Sequence, residues 1–412
     1  MPTEARQVGY MGRRAVALSA GQASLVVDEL GGMVPVFGLR RGAGLLNAHW
    51  IPEFRDTSGQ PWSEAAHGAY WKGKLLHHLA GDFPCAPSFG PPCTVDGVEH
   101  PAHGWTAEEA WRLEAAGVDE ATGAPFARFA LESPAPGLPL SFQRCDLLLP
   151  GAPAYASVLR IRNRGAAPVA VNAARHNTVG APFLAAGCRI SLPGNRFMAA
   201  GDGTEFEATG RLLGGVEFGA LEAAPLREGG QVDAGAVPGP IGFTDLVAGA
   251  IPPGLALGWS CVVNPALRLA YLCFFPGVAA LPPGELAPTF NILWMQYGGR
   301  PFTPWALHEG GGDRTFCLGT ENGVCGFANG LAWCRAHPAL LGNATTAEVP
   351  AGGERTLVYA TALVPLEPAL LAEGVRGVEA EAGALVLRGA RAFQRVAGAD
   401  LAVARAVAAV GR

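Results

Sequence analysis

The chain is poor in several features that would place it quickly. No stretch is strongly basic, and 30 Lys+Arg against 35 Asp+Glu leave it mildly acidic, which argues against nucleic acid and anionic membranes as partners. No uninterrupted apolar run approaches the roughly 20 residues a helix needs to cross a bilayer. The opening Met-Pro-Thr-Glu-Ala-Arg lacks the charged-then-apolar layout of a secretion signal. The nine cysteines, an odd number scattered from Cys85 to Cys334, form no Cys-x-x-Cys pair. Neither a metal knuckle nor a disulfide framework is therefore expected, but reduced and mostly buried thiols in a cytoplasmic protein. No Gly-rich nucleotide-binding motif stands between a strand and a helix, and no metal or organic cofactor is expected.

What the chain does have is apolar bulk and turns. Hydrophobic residues make up 49% of its 412 positions, enough for a large core, and 57 glycines with 34 prolines punctuate it without reaching the level of disorder. The segment 23–39 reads as two short strands around a Gly-Gly turn. Residues 45–105 do not alternate; they are aromatic, histidine-rich and broken by Pro and Gly, and they read as a long insertion of loops and short helices that lines a site. Strand patterns then take over at 111–115, 127–132, 142–149, 156–163, 169–173, 269–275 and 355–364. The turn at 164–168 reads as the corner of a hairpin-like meander. Helical periodicity is clear only near the end, where Asp400 caps 401–410. The expectation is an all-β protein, one large antiparallel β-sandwich over 1–412 with an elaborated N-terminal loop region.

Three short motifs bear on chemistry. His103-Gly104-Trp105 is followed by Trp111; His176 opens His-Asn-Thr-Val-Gly-Ala-Pro-Phe-Leu; Glu321 sits in Leu318-Gly-Thr-Glu-Asn-Gly323. His176 follows a candidate strand, where a rigid scaffold can aim a side chain. The glycines around Glu321 permit close backbone approach and present its carboxylate from a firm edge. The run from Trp294 to Trp305 concentrates rings that suit the C–H face of a pyranose.

The order and surroundings of these motifs resemble the aldose 1-epimerase (galactose mutarotase-like) superfamily, over about 25–364 in general pattern. The resemblance implies a galactose mutarotase-like supersandwich and a cofactor-independent isomerase that interconverts sugar anomers by opening and reclosing the ring. Glu321 would take the proton of the anomeric hydroxyl, and a protonated His176 would give one to the ring oxygen. His103, Asp245 in Gly242-Phe-Thr-Asp-Leu246, and Trp305 would bind the sugar. The three motif side chains should converge on one open cleft, with His176 and Glu321 far enough apart to admit a ring. Many mutarotases carry a Gly-Arg-x-x-Asn-Arg type segment before the first His-Gly, whereas residues 80–90 here hold no arginine. That argues against galactose specificity and against a hexose 6-phosphate, since phosphate sites usually use Arg or Lys. The expected partner is a small sugar, with the oligomeric state left open. Two other readings remain: a non-catalytic carbohydrate-binding or sensing protein, and a glycoside hydrolase or lyase, which usually needs a second carboxylate.

Overall fold

The computed structural model describes residues 1–201 and 203–410. Two large sheets dominate it. One is nine-stranded: Arg189–Ser191, Leu257–Asn264, Leu269–Pro276, Glu354–Pro365, Ala154–Asn163, Leu140–Leu148, Pro125–Glu132 and Arg112–Val118 follow one another, and Glu285–Leu286 pairs with Glu354–Pro365. The other is eight-stranded and runs through Glu217–Phe218, Phe197–Ala199, Phe243–Ala250, Phe290–Tyr297, Phe316–Val324, Ala173–Arg175 and Pro84–Cys85, with Thr178–Val179 also on Phe316–Val324. Among the described residues these strands pair with one another antiparallel, except that the short Glu285–Leu286 strand is parallel to Glu354–Pro365.

The sandwich follows from two-residue periodicity. In Leu269–Pro276 the odd residues Tyr271, Cys273 and Phe275 enter the core between the sheets, beside Tyr155, Leu159, Val247, Leu293, Met295 and Leu318. The even residues Ala270, Leu272 and Phe274 face the other way, into a second apolar cluster. That cluster is covered by a three-stranded sheet, Gly377–Glu381, Ala384–Arg388 and Phe393–Ala397, and by the helix Leu401–Ala409. Asp400 caps the helix, its Oδ1 accepting from the Ala402 N–H at 2.8 Å. A third cluster lies on the outer face of the eight-stranded sheet: Ile292, Trp294 and Cys317 meet Trp50, Phe54, Leu75, Phe83 and Phe89 of the 45–105 region.

That region contains the short helices Glu64–Trp71 and Lys74–His78 and a small hairpin, Cys93–Val95 with Val98–His100. It covers the sheet face on which the third cluster is built. The meander expected at 156–172 is corrected. Ala154–Asn163 pairs with Leu140–Leu148 and Glu354–Pro365, whereas Val169–Val171 pairs with Ala347–Val349. The turn between them carries the chain from one sheet toward the other instead of folding it back. Among the described residues no helix is long and apolar enough to cross a membrane.

Candidate functional site

Three strands of the eight-stranded sheet present the central groups. Along Phe316–Val324 the residues Cys317, Gly319, Glu321 and Gly323 share the outer face, and Leu318, Thr320 and Asn322 point into the sandwich. Ile292 and Trp294 on the neighbouring strand lie on the same outer face, Ile292 directly across from Glu321. Ala174, His176 and Thr178 continue it beyond, with Arg175 and Asn177 turned inward toward Asp82 and Cys273. His176 is held by its own N–H, which donates to the Phe83 carbonyl at 3.0 Å. Its ring stacks on Phe83 with centroids 4.5 Å apart and planes 17° apart. Nδ1 lies 3.2 Å from Thr178 Oγ1, and Nε2 lies 3.3 Å from Glu321 Oε1.

His103 reaches the same place from the N-terminal insertion. Its ring is edge-on to His176 at 5.0 Å and to Phe89 at 5.1 Å, and its Nδ1 lies 3.8 Å from the Cys85 thiol. A left-handed residue, φ 57°, turns the chain here, and Gly104 follows at φ 81°. A Cβ on Gly104 would stand 2.3 Å from the Ala86 carbonyl oxygen, so the His-Gly dipeptide lets the loop lie against the strand edge.

His103, His176 and Glu321, far apart in sequence, thus form one contact cluster. Two expectations about it are corrected. The cleft between His176 and Glu321 is closed: they touch, and His176 is 6% and Glu321 2% exposed. Asp245 is not part of the cluster. It lies on the core-facing register of Phe243–Ala250 with Val247, opposite to Leu246 and Ala248. Its Oδ1 is occupied by the Arg211 and Leu212 backbone N–H groups, and its Oδ2 faces Arg211 Nε at 3.4 Å. Trp305 stands one ring away from His176: it packs edge-on to Trp294 at 5.6 Å, and Trp294 packs edge-on to His176 at 5.7 Å. Of the two tryptophans near His103, Trp111 is a core residue whose Nε1 donates to the Thr106 carbonyl.

Burial decides the protonation of the central pair. It raises the Glu321 acid well above the usual carboxylate range and lowers His176 to about 4. His103 is likewise pushed well below its ordinary value, by burial and then by the neighbouring His176. Both shifts run the same way: burial favours the uncharged forms, an imidazole beside a carboxyl, over an imidazolium–carboxylate pair. The second carboxyl oxygen, Glu321 Oε2, is buried without a hydrogen-bond partner, a cost that a ligand hydroxyl would relieve. Among the described residues no group of three or more His, Cys, Asp or Glu side chains is placed to hold a metal ion.

Several lining groups carried no sequence motif of their own. Phe83, Cys85 and Phe89 fall in the arginine-free 80–90 segment. Arg300 stands in the ring-rich 294–305 run, where only the aromatics drew attention. Its guanidinium is 4.6 Å from the Trp305 ring centroid and 5.9 Å from that of Trp294. A cation between two tryptophans is the signal that was available.

The architecture is that of the galactose mutarotase-like sandwich. A candidate aldose 1-epimerase of Klebsiella pneumoniae superposes with a TM-score of 0.60 at 14% identity, over 87% of this chain and 81% of that one. A galactose mutarotase-like protein of Clostridium acetobutylicum gives 0.55 at 10% identity, over 88% and 98% of the two chains. A candidate aldose 1-epimerase of Escherichia coli K12 gives 0.52 at 15%, over 85% and 98%. No family model matches the sequence, and no curated protein does. At such identities the likeness defines the fold, and function has to be argued from the site.

Proposed function

We propose that the protein is a cofactor-independent aldose 1-epimerase-like isomerase that opens and recloses the hemiacetal of a small sugar. The observation that supports this best is the 3.3 Å approach of His176 to Glu321, a buried acid and base side by side with His103 against them and one carboxyl oxygen unsatisfied. The resemblance read from the sequence makes Glu321 the base and His176 the acid. Burial reverses those resting roles. Neutral His176 Nε2 accepts the proton of the anomeric O1–H, the O1 lone pair forms the C1=O bond, the C1–O5 bond breaks, and O5 takes the Glu321 proton. The product is the open aldehyde beside an imidazolium–carboxylate pair. After rotation about C1–C2, O5 attacks the other face of C1, returning its proton to Glu321 while O1 recovers one from His176. The pair resets without water or cofactor, and each positioned group contributes on the order of 10²–10⁴ in rate. His103 is assigned to sugar hydroxyls and the Trp294–Trp305 rings to the sugar's C–H face.

For this chemistry the sugar must part the 3.3 Å contact and hydrogen-bond to both side chains. Catalytic hydrogen bonds commonly rearrange when substrate arrives. The same contact favours a second reading, a sugar-binding protein in which the pair is static. A hydrolase is less well supported. The carboxylates next to the cluster in sequence register, Asp82 and Asp245, are committed to Arg175 and Arg211 on the core side, and inverting or retaining hydrolysis usually needs two flanking acids. Polarimetry on freshly dissolved α-aldoses separates the readings. The isomerase speeds the approach to anomeric equilibrium for at least one sugar, whereas a binding protein leaves every curve at the spontaneous rate.

A further inference from the structure

Arg300 is 7% exposed, and the structure gives its charge little in return. Among the described residues one of the five N–H donors of its guanidinium finds an acceptor: Nη2 donates to Glu205 Oε1 at 2.7 Å. Glu205 itself is two-thirds exposed, with its side chain at 66% against 8% for Arg300. Three rings lie near it, those of Trp305 at 4.6 Å, Phe206 at 5.7 Å and Trp294 at 5.9 Å, and the Cys317 thiol is close enough to feel its charge. A desolvated cation with a single hydrogen bond among the described residues is expensive, and a fork of this shape matches a planar oxyanion held by two parallel bonds.

Its position ties it to the His176–Glu321 pair. Trp294 touches both ends: its ring centroid is 5.7 Å from that of His176 and 5.9 Å from the Arg300 guanidinium. The imidazole and the guanidinium are therefore separated by less than the sum of these, 11.6 Å. One pyranose with a hydrogen bond at each end spans a gap of that order. Trp305, on which the guanidinium lies, completes a path of rings from the imidazole to the guanidinium.

We propose that Arg300 selects a sugar bearing a carboxylate, an aldohexuronic acid, whose carboxylate replaces Glu205 on the guanidinium while its anomeric end meets His176 and Glu321. Glu205 is the tethered stand-in: it supplies the same planar, singly charged group, and its release into water is cheap because it is already mostly solvated. The exchange conserves charge. A phosphate dianion would bring a second negative charge to a single guanidinium, and a neutral hexose would leave Glu205 in place. The inference deepens the isomerase reading and rests on it for the anomeric end alone.

The test compares anomer exchange of galacturonate and glucuronate with that of galactose, glucose and glucose 6-phosphate at pH 7, by proton NMR, in wild type, R300M, R300K and E205Q. The expected result is a kcat/KM for one uronate about 10- to 100-fold above that of its neutral hexose, the range of a charge-assisted hydrogen bond. That ratio falls toward one in R300M and partway in R300K, and E205Q lowers the KM for the uronate by removing the competing carboxylate. Equal rates for uronate and hexose, a preference for the phosphate ester, or a ratio unchanged by R300K and E205Q would each overturn the proposal. Should wild type accelerate no sugar, calorimetric titration with the same uronates distinguishes the two failures. Binding that R300K weakens upholds Arg300 and sinks the isomerase reading, and the absence of binding sinks Arg300 as well.

Discussion

Directly beneath the His176 ring, on the core side of the same strands, lies a buried ion pair whose loss should be felt throughout the site. Arg175 donates to Asp82 from Nε at 3.1 Å and from Nη2 at 2.5 Å, the Tyr155 hydroxyl donates to the same carboxylate, and neither charged side chain is more than 1% exposed. Burial alone would raise the Asp82 acid, but the guanidinium overcomes this and holds it below its ordinary value. Asp82→Asn keeps the volume and takes from the Arg175 charge its directly bonded carboxylate, leaving Ser157 Oγ at 3.2 Å, the Tyr359 ring at 5.8 Å and the charge of Asp146. Removing one partner of such a pair costs about 3–5 kcal/mol, a third or more of the stability of an ordinary domain. Arg175→Met should cost less, because an isolated Asp82 can take up a proton. The double variant leaves no charge to bury, so urea unfolding should show it about 2–3 kcal/mol more stable than the sum of the single losses implies. Additivity within about 0.5 kcal/mol would refute the reasoning, because it would mean that the two side chains do not depend on one another.

Other consequences are more local. Glu108, beside the His103 turn, is 5% exposed with Oε2 unpartnered, and burial pushes it up to about 7. A raised carboxyl holds its proton more tightly in the folded state, so its contribution is intact below about 4.5 and is lost as pH rises through 7. Glu108→Gln should therefore gain on wild type by about 2–3 kcal/mol between pH 5 and pH 8, and a flat difference in denaturation midpoints would count against that placement. Gly319 shares a face with Glu321, and a Cβ there would stand 2.6 Å from Glu321 Oε1 and 3.0 Å from Trp294 Cβ. Gly319→Ala should displace the carboxyl and cut anomer exchange at least tenfold while costing only about 1–3 kcal/mol in stability; equal exchange rates in the two proteins would contradict it.

The fold was legible where runs of apolar, β-branched and aromatic residues stand between turn signals. The patterns at 127–132, 156–163, 269–275 and 355–364 fall inside the strands Pro125–Glu132, Ala154–Asn163, Leu269–Pro276 and Glu354–Pro365. Phe243–Ala250, Leu257–Asn264 and Phe290–Tyr297 are buried on both faces and show no alternation; so is Leu269–Pro276, which its unbroken apolar run alone marks. At the site, the histidines and Glu321 stood out because short glycine-bearing motifs surround them. Asp245 was misread because its motif does not say which face of the strand it takes, and a one-residue change of register moves a side chain through the sheet. Closure of the His176–Glu321 contact was invisible for a different reason. It depends on the long-range pairing of Thr178–Val179 with Phe316–Val324, which puts Thr178 opposite Gly319, and no local pattern encodes that pairing.

The most direct test of the central claim is proton NMR saturation transfer between the two anomers of a sugar, with wild type and with Glu321→Gln. Glu321→Gln keeps the shape of the side chain and removes its transferable proton, while His176 stays in place. Wild type should exchange anomers well above the spontaneous rate for at least one aldose or aldohexuronic acid, and the variant should bind that sugar and exchange it at the spontaneous rate. Exchange in the variant as fast as in wild type, or wild-type protein that binds sugars and leaves every anomer pair at the spontaneous rate, would contradict the account.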